Sequence, residues 1–253
     1  GGINLEDIAA PKCFEVERRL IQDLDIPVFH DDQHGTAIVV LAALINAFKV
    51  AQKSLLDSKI VIVGAGAAGT GVARILVEYG ITNIIVVDSR GIISDKRQDL
   101  DFNKKVLANS TNPNHINGNL SEAVSGADVV VGLSTGGRGK ITSQMIKTMN
   151  SKPVIFAMAN PDPEILPGDA KRAGAFIVAT GRSDFPNQIN NVLVFPGLFR
   201  GALDNRVKRI TTEMKIKSAE SLASCVVNPT KDMILPSVFD KSVVKKISSV
   251  IKT

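Results

Sequence analysis

The chain has 253 residues, a net charge of +5, 44% hydrophobic residues and two cysteines. This length allows one or two domains with a large core, and the apolar fraction excludes an intrinsically disordered chain. The mild positive charge is spread along the sequence, so we expect no nucleic-acid partner. The longest apolar run, Ala37 to Ile45, is shorter than the ~20 residues that cross a bilayer. We therefore predict a cytoplasmic protein that is not inserted in a membrane.

In chain order, helical spacing predicts helices over residues 15–25 and 36–53, and a β-branched run at 59–63 predicts a buried strand. Strands and helices then alternate. Further strands are predicted at 81–88, 127–132, 153–158 and 175–179, and helices at 69–78, 120–125, 142–149 and 167–173. Residues 95–119 are interpreted as a surface excursion, and amphipathic helices dominate after residue 201. The alternation predicts an α/β fold with a doubly wound parallel sheet of the Rossmann type.

A glycine-rich turn stands between the 59–63 strand and the helix that follows it. It contains Gly64, Ala65, Gly66, Ala67, Ala68 and Gly69, and matches the dinucleotide fingerprint G-x-G-x-x-G. Its glycines permit a tight turn, close approach of a pyrophosphate and close helix packing, and the helix start favours phosphates. Asp88 ends the next strand, where an acid binds a ribose hydroxyl. Asp88 would repel the extra phosphate of NADP and Arg90 would neutralise it, so NAD is the generic assignment and NADP stays open.

Two acid pairs, Glu6-Asp7 and Asp31-Asp32, are separated by one predicted helix. Three carboxylates can together bind Mg²⁺ or Mn²⁺, which prefer oxygen ligands. The second pair can equally cap the helix that begins at Thr36. His30 and His34 flank that pair at a spacing that suits zinc on a helix, but the turn-like context favours hydrogen bonds from these histidines to the acids.

Two asparagine-rich segments are candidate substrate contacts. Asn160 follows the 153–158 strand, and Asn191 ends an amide-rich segment that begins at Asn187. Ligands of open α/β sheets bind beyond the carboxyl ends of the strands, and an amide offers both a donor and an acceptor to a hydroxy acid or a carboxamide. Turn formation is the alternative role for both segments.

Five motifs in order give the chain a resemblance to a known family. They are Asn4 to Ile8, His30 to Thr36, Gly64 to Gly69, Phe156 to Pro161 and Asn190 to Gly197. Together they resemble malic enzyme in its short bacterial-type form, from Gly2 to at least Asp204. The resemblance implies an oxidoreductase that, at full length, converts malate to pyruvate and CO₂ with reduction of NAD(P), as a homo-oligomer such as a dimer.

The resemblance also implies roles for individual residues. Glu6, Asp7 and Asp32 match the ligands of the family's divalent metal, Mg²⁺ or Mn²⁺, and Asp31 matches a neighbour that orients them. Ala65 to Ala68 would line the dinucleotide phosphates. Asn160 and Asn191 match the substrate-contacting asparagines, with Asn160 also beside the nicotinamide.

The chain departs from the family at its beginning. The resemblance implies a catalytic tyrosine, a catalytic lysine and a substrate-binding arginine upstream of the Glu-Asp motif, but only six residues precede Asp7, and the one tyrosine, Tyr79, lies in a predicted helix. The Gly-Gly start without methionine suggests a processed start or a fragment. We therefore expect a C-terminal portion that lacks the acid and base and is inactive alone.

On this interpretation residues 1–35 are a metal-binding remnant of the substrate domain, 36–200 the NAD(P)-binding domain and 201–253 C-terminal helices. Two other functions stay open: a dinucleotide-binding regulatory module without catalysis, and another NAD(P)-dependent oxidoreductase of the same architecture that needs no metal.

Overall fold

A computed structural model describes residues 1–252, which form eight strands and ten α-helices. The strands are β1 (Ile3–Leu5), β2 (Val28–His30), β3 (Ile60–Val63), β4 (Ile84–Asp88), β5 (Gly91–Ile92), β6 (Val129–Gly132), β7 (Val154–Ala157) and β8 (Ile177–Thr180). The helices are α1 (Lys12–Asp23), α2 (Thr36–Ala51), α3 (Ala67–Glu78), α4 (Phe102–Ser110), α5 (Leu120–Val124), α6 (Ser143–Lys147), α7 (Pro167–Arg172), α8 (Phe195–Asp204), α9 (Thr212–Ala223) and α10 (Ser242–Val250). A π-helical turn, Asp31–Gly35, runs directly into α2.

The central sheet has six strands in the order β5-β4-β3-β6-β7-β8, and only β5 runs antiparallel to its neighbour. From β3 the chain moves to β4 on one side, then returns to add β6, β7 and β8 on the other side. The order of the strands therefore reverses between β3 and β6, and a crevice opens there beyond their carboxyl ends. This confirms the predicted α/β fold and all five predicted parallel strands.

Both faces of the sheet are covered, which explains why its strands are continuous apolar runs. Side chains alternate along each strand, so Ile60 and Ile62 join one hydrophobic cluster and Val61 and Val63 join the other. The larger cluster contains α2, α3 and the C-terminal helices; the smaller one contains α5, α6 and α7.

The helix α2 is the most buried helix of the larger cluster. With the π-helical turn it forms a 21-residue segment, Asp31–Ala51, whose most apolar 18-residue window has a mean hydropathy of 1.6, so the segment is long and apolar enough to cross a membrane. In the fold, however, 72% of its most apolar window is buried against protein, as in the core helix of a globular domain. The unbroken apolar run from Ala37 to Ile45 is shorter than this segment, because polar residues begin the segment and Asn46 and Lys49 interrupt its second half.

A second, two-stranded sheet stands at the start of the chain. Its strands β1 and β2 are parallel, and Leu5 pairs with His30 at their carboxyl ends. The residues that follow this pair are Glu6-Asp7 on one strand and Asp31-Asp32 on the other. The register therefore brings the two acid pairs to the same edge.

The interpretation of residues 95–119 as a surface excursion was wrong in part. This segment contains α4. Asp101 precedes the helix, and its carboxylate accepts a hydrogen bond from the Lys104 amide and so caps the helix. Leu100 and Leu107 are buried in the larger cluster. The polar composition of the segment concealed a short amphipathic helix. The amphipathic helices predicted after residue 201 are present as α9 and α10.

The substitution Asn46→Ala tests how α2 is joined to the C-terminal helices. Asn46 is fully buried, and its amide donates to the carbonyls of Ala223 and Ile234, each at 2.9 Å. Removing both hydrogen bonds inside the core should lower the free energy of unfolding by about 2–3 kcal/mol. Urea denaturation measures this change, with Lys49→Ala, an exposed position on the same helix, as the matched control. Equal stability of the two variants would show that Asn46 does not join these elements.

Candidate functional site

The glycine turn lies at the crevice between β3 and β6. Gly64 follows β3 with φ +116°, a conformation that favours glycine, and a Cβ there would come within 2.5 Å of the Leu133 carbonyl oxygen. A Cβ on Gly69 would lie 1.8 Å from the Gly64 oxygen, so no side chain fits there. A Cβ on Gly66 would meet nothing within 4 Å. Two of the glycines are therefore required by the fold, and the third leaves open space.

That open space is part of a cleft of about 900 Å³ beyond the carboxyl ends of β3, β4 and β6. Its lining includes Gly64, Ala65, Gly66, Asp88, Leu133 and Ser134. Ala67, Ala68 and Gly69 form the first turn of α3 beside it, where backbone amides have no partners within the helix and the helix dipole favours an anion. The arrangement can hold a pyrophosphate against the turn.

Asp88 lies on the wall of this cleft at the end of β4, as predicted. Its carboxylate, however, is bound by the side chains of Arg97 and Lys104. Burial alone would raise the pKa of Asp88, but these hydrogen bonds outweigh it and hold the pKa below its ordinary value.

The two acid pairs lie together in a cluster of carboxylates. The Asp7 amide donates to Oδ2 of Asp32 at 2.9 Å, which links the two pairs. Burial, with Glu6 and Asp32 nearby, raises the pKa of Asp31 to about 6. The Oδ1 atoms of Asp31 and Asn4 are buried without a hydrogen-bond partner.

Crowded carboxylates and unpartnered buried oxygens are a donor set that suits a hard divalent cation. Residues 1–252 nevertheless contain no group of three His, Cys, Asp or Glu side chains already arranged to hold a metal ion.

The two histidines beside the acids, His30 and His34, differ in their hydrogen bonds. His34 bonds through Nε2 to Glu17 at 2.7 Å and through Nδ1 to Lys215 at 2.9 Å. His30 is buried, and its ring nitrogens have no hydrogen-bond partner; Nδ1 lies 3.9 Å from Asp32. The prediction that both histidines make hydrogen bonds to the acid pairs was therefore wrong: His34 bonds to Glu17, and His30 makes no hydrogen bond.

Glu17 and Lys215 hold the π-helical turn from two helices. One Glu17 oxygen accepts from His34 and the other from Gln33, at 3.2 Å. Burial lowers the pKa of Lys215 to about 8 despite the attraction of Glu17, and burial also lowers the pKa of His34. We call Glu17, Gln33, His34 and Lys215 the turn clamp.

The clamp was missed in the sequence, although one signal was present. Glu17 stands four residues after buried Cys13 on the same face of α1, and a charged residue on a buried face calls for a partner. Lys215 carries no such signal, because it lies 181 residues from His34.

The π-helical turn Asp31–Gly35, which we call the acid turn, is in direct contact with α3. A Cβ on Gly71 of α3 would come within 2.3 Å of the Gln33 carbonyl oxygen, so the two backbones touch. A Cβ on Gly35 would lie 3.2 Å from the Asn191 Cβ, which brings this predicted substrate contact to the acid turn. Asn160 lies elsewhere, after β7, beside Gly181.

A buried carboxylate organises the loops after β6 and β7. Glu164 is fully buried; one oxygen accepts from the amide and hydroxyl of Ser134, each at 3.0 Å, and the other accepts from the Ala159 amide at 3.1 Å. Ser134 lines the cleft and Ala159 precedes Asn160. Glu164 was also missed, since nothing near it in the sequence marks it as buried.

A mostly parallel sheet with a glycine turn and an open cleft at its switch point defines a Rossmann-type dinucleotide-binding domain. Comparison with known families places the chain more closely. Residues 33–252 match the family model described as malic enzyme, NAD binding domain. The chain belongs to the malic enzyme family.

The relatives of the chain carry the same family name. The chain is 49% identical to the bifunctional malic/malolactic enzyme of Bacillus subtilis, over 99% of the chain and 62% of the relative. It is 50% identical to the NAD-dependent malic enzyme of Geobacillus stearothermophilus, over 98% and 52%, and 44% identical to the NADP-dependent malic enzyme of Halomonas elongata, over 99% and 63%. The chain thus spans between half and two thirds of these relatives.

Solved structures of malic enzymes have the same fold as this chain. A crystal structure of the NAD-dependent malic enzyme of Thermotoga maritima superposes with a TM-score of 0.95 at 45% identity, over 99% of this chain and 66% of that one. The malic enzyme of Pyrococcus horikoshii gives 0.95 at 47% identity, over 99% and 60%. The dinucleotide cofactor inferred from the cleft is therefore supported, with NAD- and NADP-dependent relatives both represented.

The substitution Glu17→Ala tests the turn clamp. It leaves the side-chain donors of Gln33 and His34 without an acceptor and removes the counter-charge of buried Lys215. We expect the free energy of unfolding to fall by about 3 kcal/mol, measured by denaturant titration. Glu15→Ala is the control, since Glu15 is exposed on the same helix and should change stability by less than about 0.5 kcal/mol. A Glu17→Ala loss as small as the control's would contradict the clamp.

The substitution Glu164→Gln tests the support of the two loops. The glutamine amide has nearly the same shape as the glutamate carboxylate, but its NH₂ group must face an N–H or O–H donor of Ser134 or Ala159. We expect a loss of about 2 kcal/mol in stability and about a tenfold loss of dinucleotide affinity, read by calorimetric titration. Asp162→Asn, at an exposed neighbour, should change neither quantity. Unchanged affinity in Glu164→Gln would mean that the loops hold their shape without it.

Proposed function

We propose that the chain is the cofactor-binding part of a longer NAD(P)-dependent malic enzyme that oxidatively decarboxylates malate to pyruvate and CO₂. One observation carries this proposal: helix α3, which begins at the dinucleotide turn, abuts the turn of carboxylates through the contact between Gly71 and Gln33. A hydride acceptor and a hydroxy acid held by a metal would then lie next to each other, as this reaction requires.

We propose that Glu6, Asp7 and Asp32 hold a divalent cation, Mg²⁺ or Mn²⁺, and that Asp31 orients them. The hard oxygen donors of these three side chains support this set, and the buried Oδ1 of Asp31, which has no hydrogen-bond partner, supports a role for Asp31 beside it. A bound divalent cation would act as a Lewis acid on the oxygens of the substrate.

The asparagines would orient the substrate. Asn191 stands against Gly35 of the acid turn, within reach of a ligand bound there, and its amide can donate to a malate carboxylate. Asn160, in the loop supported by Glu164, would contact substrate and nicotinamide from the β7 side.

Proton transfer would come from outside this chain. Its one tyrosine, Tyr79, ends α3 and packs partly buried against the larger cluster, and burial raises the pKa of its hydroxyl. The amine of Lys215 is engaged in the turn clamp. We therefore propose that the chain alone binds the dinucleotide without turning over malate.

Two exposed apolar side chains bear on the assembly of the full-length protein. The side chains of Val227 and Phe239 are 83% and 88% exposed, and such apolar groups suit a contact with another part of the full-length protein or its second copy. We propose a cytoplasmic homodimer at full length.

Gly66→Val tests dinucleotide binding without disturbing the fold. Gly66 has φ −81° and open space where a Cβ would stand, so valine fits but projects to where the pyrophosphate must approach. We expect unchanged thermal stability and at least a hundredfold loss of affinity for NAD(P)H, followed by fluorescence titration. Gly69→Val is the contrasting control, which should unfold the domain. Full affinity in Gly66→Val would overturn the assignment of the cleft.

The full-length protein tests the reaction. With Mn²⁺ it should form NAD(P)H and pyruvate when malate is added; EDTA and Asp32→Asn should each abolish the activity. Dinucleotide binding without malate turnover would favour a regulatory module, and turnover of another substrate in the presence of EDTA would favour a metal-independent oxidoreductase. Robust turnover by residues 1–253 alone would contradict the external acid and base.

A further inference from the structure

A second large cavity lies next to the cleft at the glycine turn. Its volume is about 1030 Å³, and it is lined by residues of α1, the acid turn, α3, α9 and the start of α4. Pro11, Phe14 and Asn103 line both openings and so form the boundary between them. We call this second opening the α1 cavity. The proposed function assigns no ligand to it.

The charged side chains of the α1 cavity carry a positive excess. They are four cations and two carboxylates: Lys12, Arg18, Arg74 and Lys215, with Glu15 and Glu17. Glu15 lies 3.7 Å from Arg18. The oxygens of Glu17 already accept hydrogen bonds from Gln33 and His34. Neither carboxylate is therefore in direct contact with the other cations of the cavity.

The ammonium of Lys215 has unused donors. Its one hydrogen bond within residues 1–252 goes to Nδ1 of His34 at 2.9 Å. An ammonium has three N–H donors, so two of them have no partner in the described part of the chain. Burial is the main reason that the pKa of Lys215 falls to about 8; Glu17 opposes this fall, and the positive charge of Arg74 adds to it. The two cations are therefore close enough to repel each other.

Arg74 is the second cation of this pair. Its guanidinium lies over the ring of Phe14, 5.5 Å from the centroid, and makes no ion pair with a residue in the range 1–252. A guanidinium has five N–H donors in a planar fork. Arginine and lysine donors that converge on one point are the ones that hold a carboxylate or a phosphate, and an anion between them would also remove their mutual repulsion.

The rest of the wall is apolar. Phe14, Val16, Ile21 and Phe102 line the same cavity. Phe102 is 79% exposed although it is a large aromatic residue, so its ring is available to a ligand. Apolar walls with a few convergent polar groups are typical of sites for small organic molecules.

We propose that the α1 cavity binds a small organic anion. Its carboxylate or phosphate group lies between Arg74 and Lys215, and its apolar part packs on Phe14 and Phe102. This inference goes beyond the proposed function and does not depend on it. Because Lys215 also bonds His34, a ligand in the cavity contacts the lysine that holds the acid turn.

The experiment titrates the chain with four probes in a calorimeter at neutral pH and fixed salt: benzoate, phenyl phosphate, inorganic phosphate and uncharged benzyl alcohol. We expect saturable binding of benzoate or phenyl phosphate, and the one that binds more tightly identifies the oxyanion. Inorganic phosphate should bind about tenfold more weakly than phenyl phosphate, because it lacks the apolar part. Benzyl alcohol should not bind, because it lacks the charge.

Variants locate the site. Arg74→Gln and Lys215→Met should each weaken the binding of the organic anion about tenfold or more, and Phe102→Ala should weaken it about fivefold. Arg19→Gln, an exposed position on α1 outside the cavity lining, is the matched control and should change nothing. Thermal melts check folding, and the Arg74 variant keeps the test valid should the Lys215 variant unfold.

Four results would overturn the site. They are no saturable binding of benzoate or phenyl phosphate, unchanged affinity in Arg74→Gln, benzyl alcohol that binds as tightly as benzoate, and complete loss of anion binding when the neighbouring cleft is saturated with NADH. The last result would place the anion in the dinucleotide cleft. A chain that binds the organic anion through Arg74 but does not bind NADH would support this site and contradict the proposed function.

Discussion

The structure depends on one continuous helical segment that is polar at its start and buried along the rest of its length. Its first turn, Asp31–Gly35, is π-helical, and α2 follows without a break. A helix packed on most of its faces cannot rotate or slide without opening cavities. The carboxylates of Asp31 and Asp32 are therefore fixed by a helix that is held in the hydrophobic core. A single π turn at the end of an α-helix is common at functional sites, and here it holds two consecutive acids in a turn that contacts α3.

The parts of this arrangement that depend on residues close together in the sequence could be predicted from it. The strands and the glycine turn follow from runs of β-branched residues and from the spacing of Gly64, Gly66 and Gly69, because strand periodicity and close helix packing act over a few residues. The three-residue strands β1 and β2 carry too short a pattern to predict, so the register that joins the two acid pairs emerged only in the structure. The turn clamp was out of reach for another reason: its bonds join residues from α1, the acid turn and α9.

The position of Asp88 was predicted correctly, but the availability of its carboxylate to a ligand was not. Its position at the end of β4 is a local property and follows from the strand. Its availability to a ligand depends on Arg97 and Lys104, and Lys104 belongs to a helix hidden within a polar segment. An acid at this position can bind the hydroxyls of a ribose only when its carboxylate oxygens are free. The electrostatic character of the cleft is thus set by the partners of Asp88 and not by Asp88 itself.

The contact between α3 and the acid turn gives the site its precision. The N-terminal turn of α3 would hold the cofactor phosphates, and one turn later Gly71 touches the carbonyl of Gln33. No side chain separates the two backbones, so a shift of α3 must move the acid turn or open a gap at a close-packed contact. A displacement of about 1 Å between reacting groups costs orders of magnitude in rate. Glycine at 71 therefore does more than permit packing: it fixes the distance between the cofactor helix and the acids, while Glu17 and Lys215 hold the same turn from its other sides.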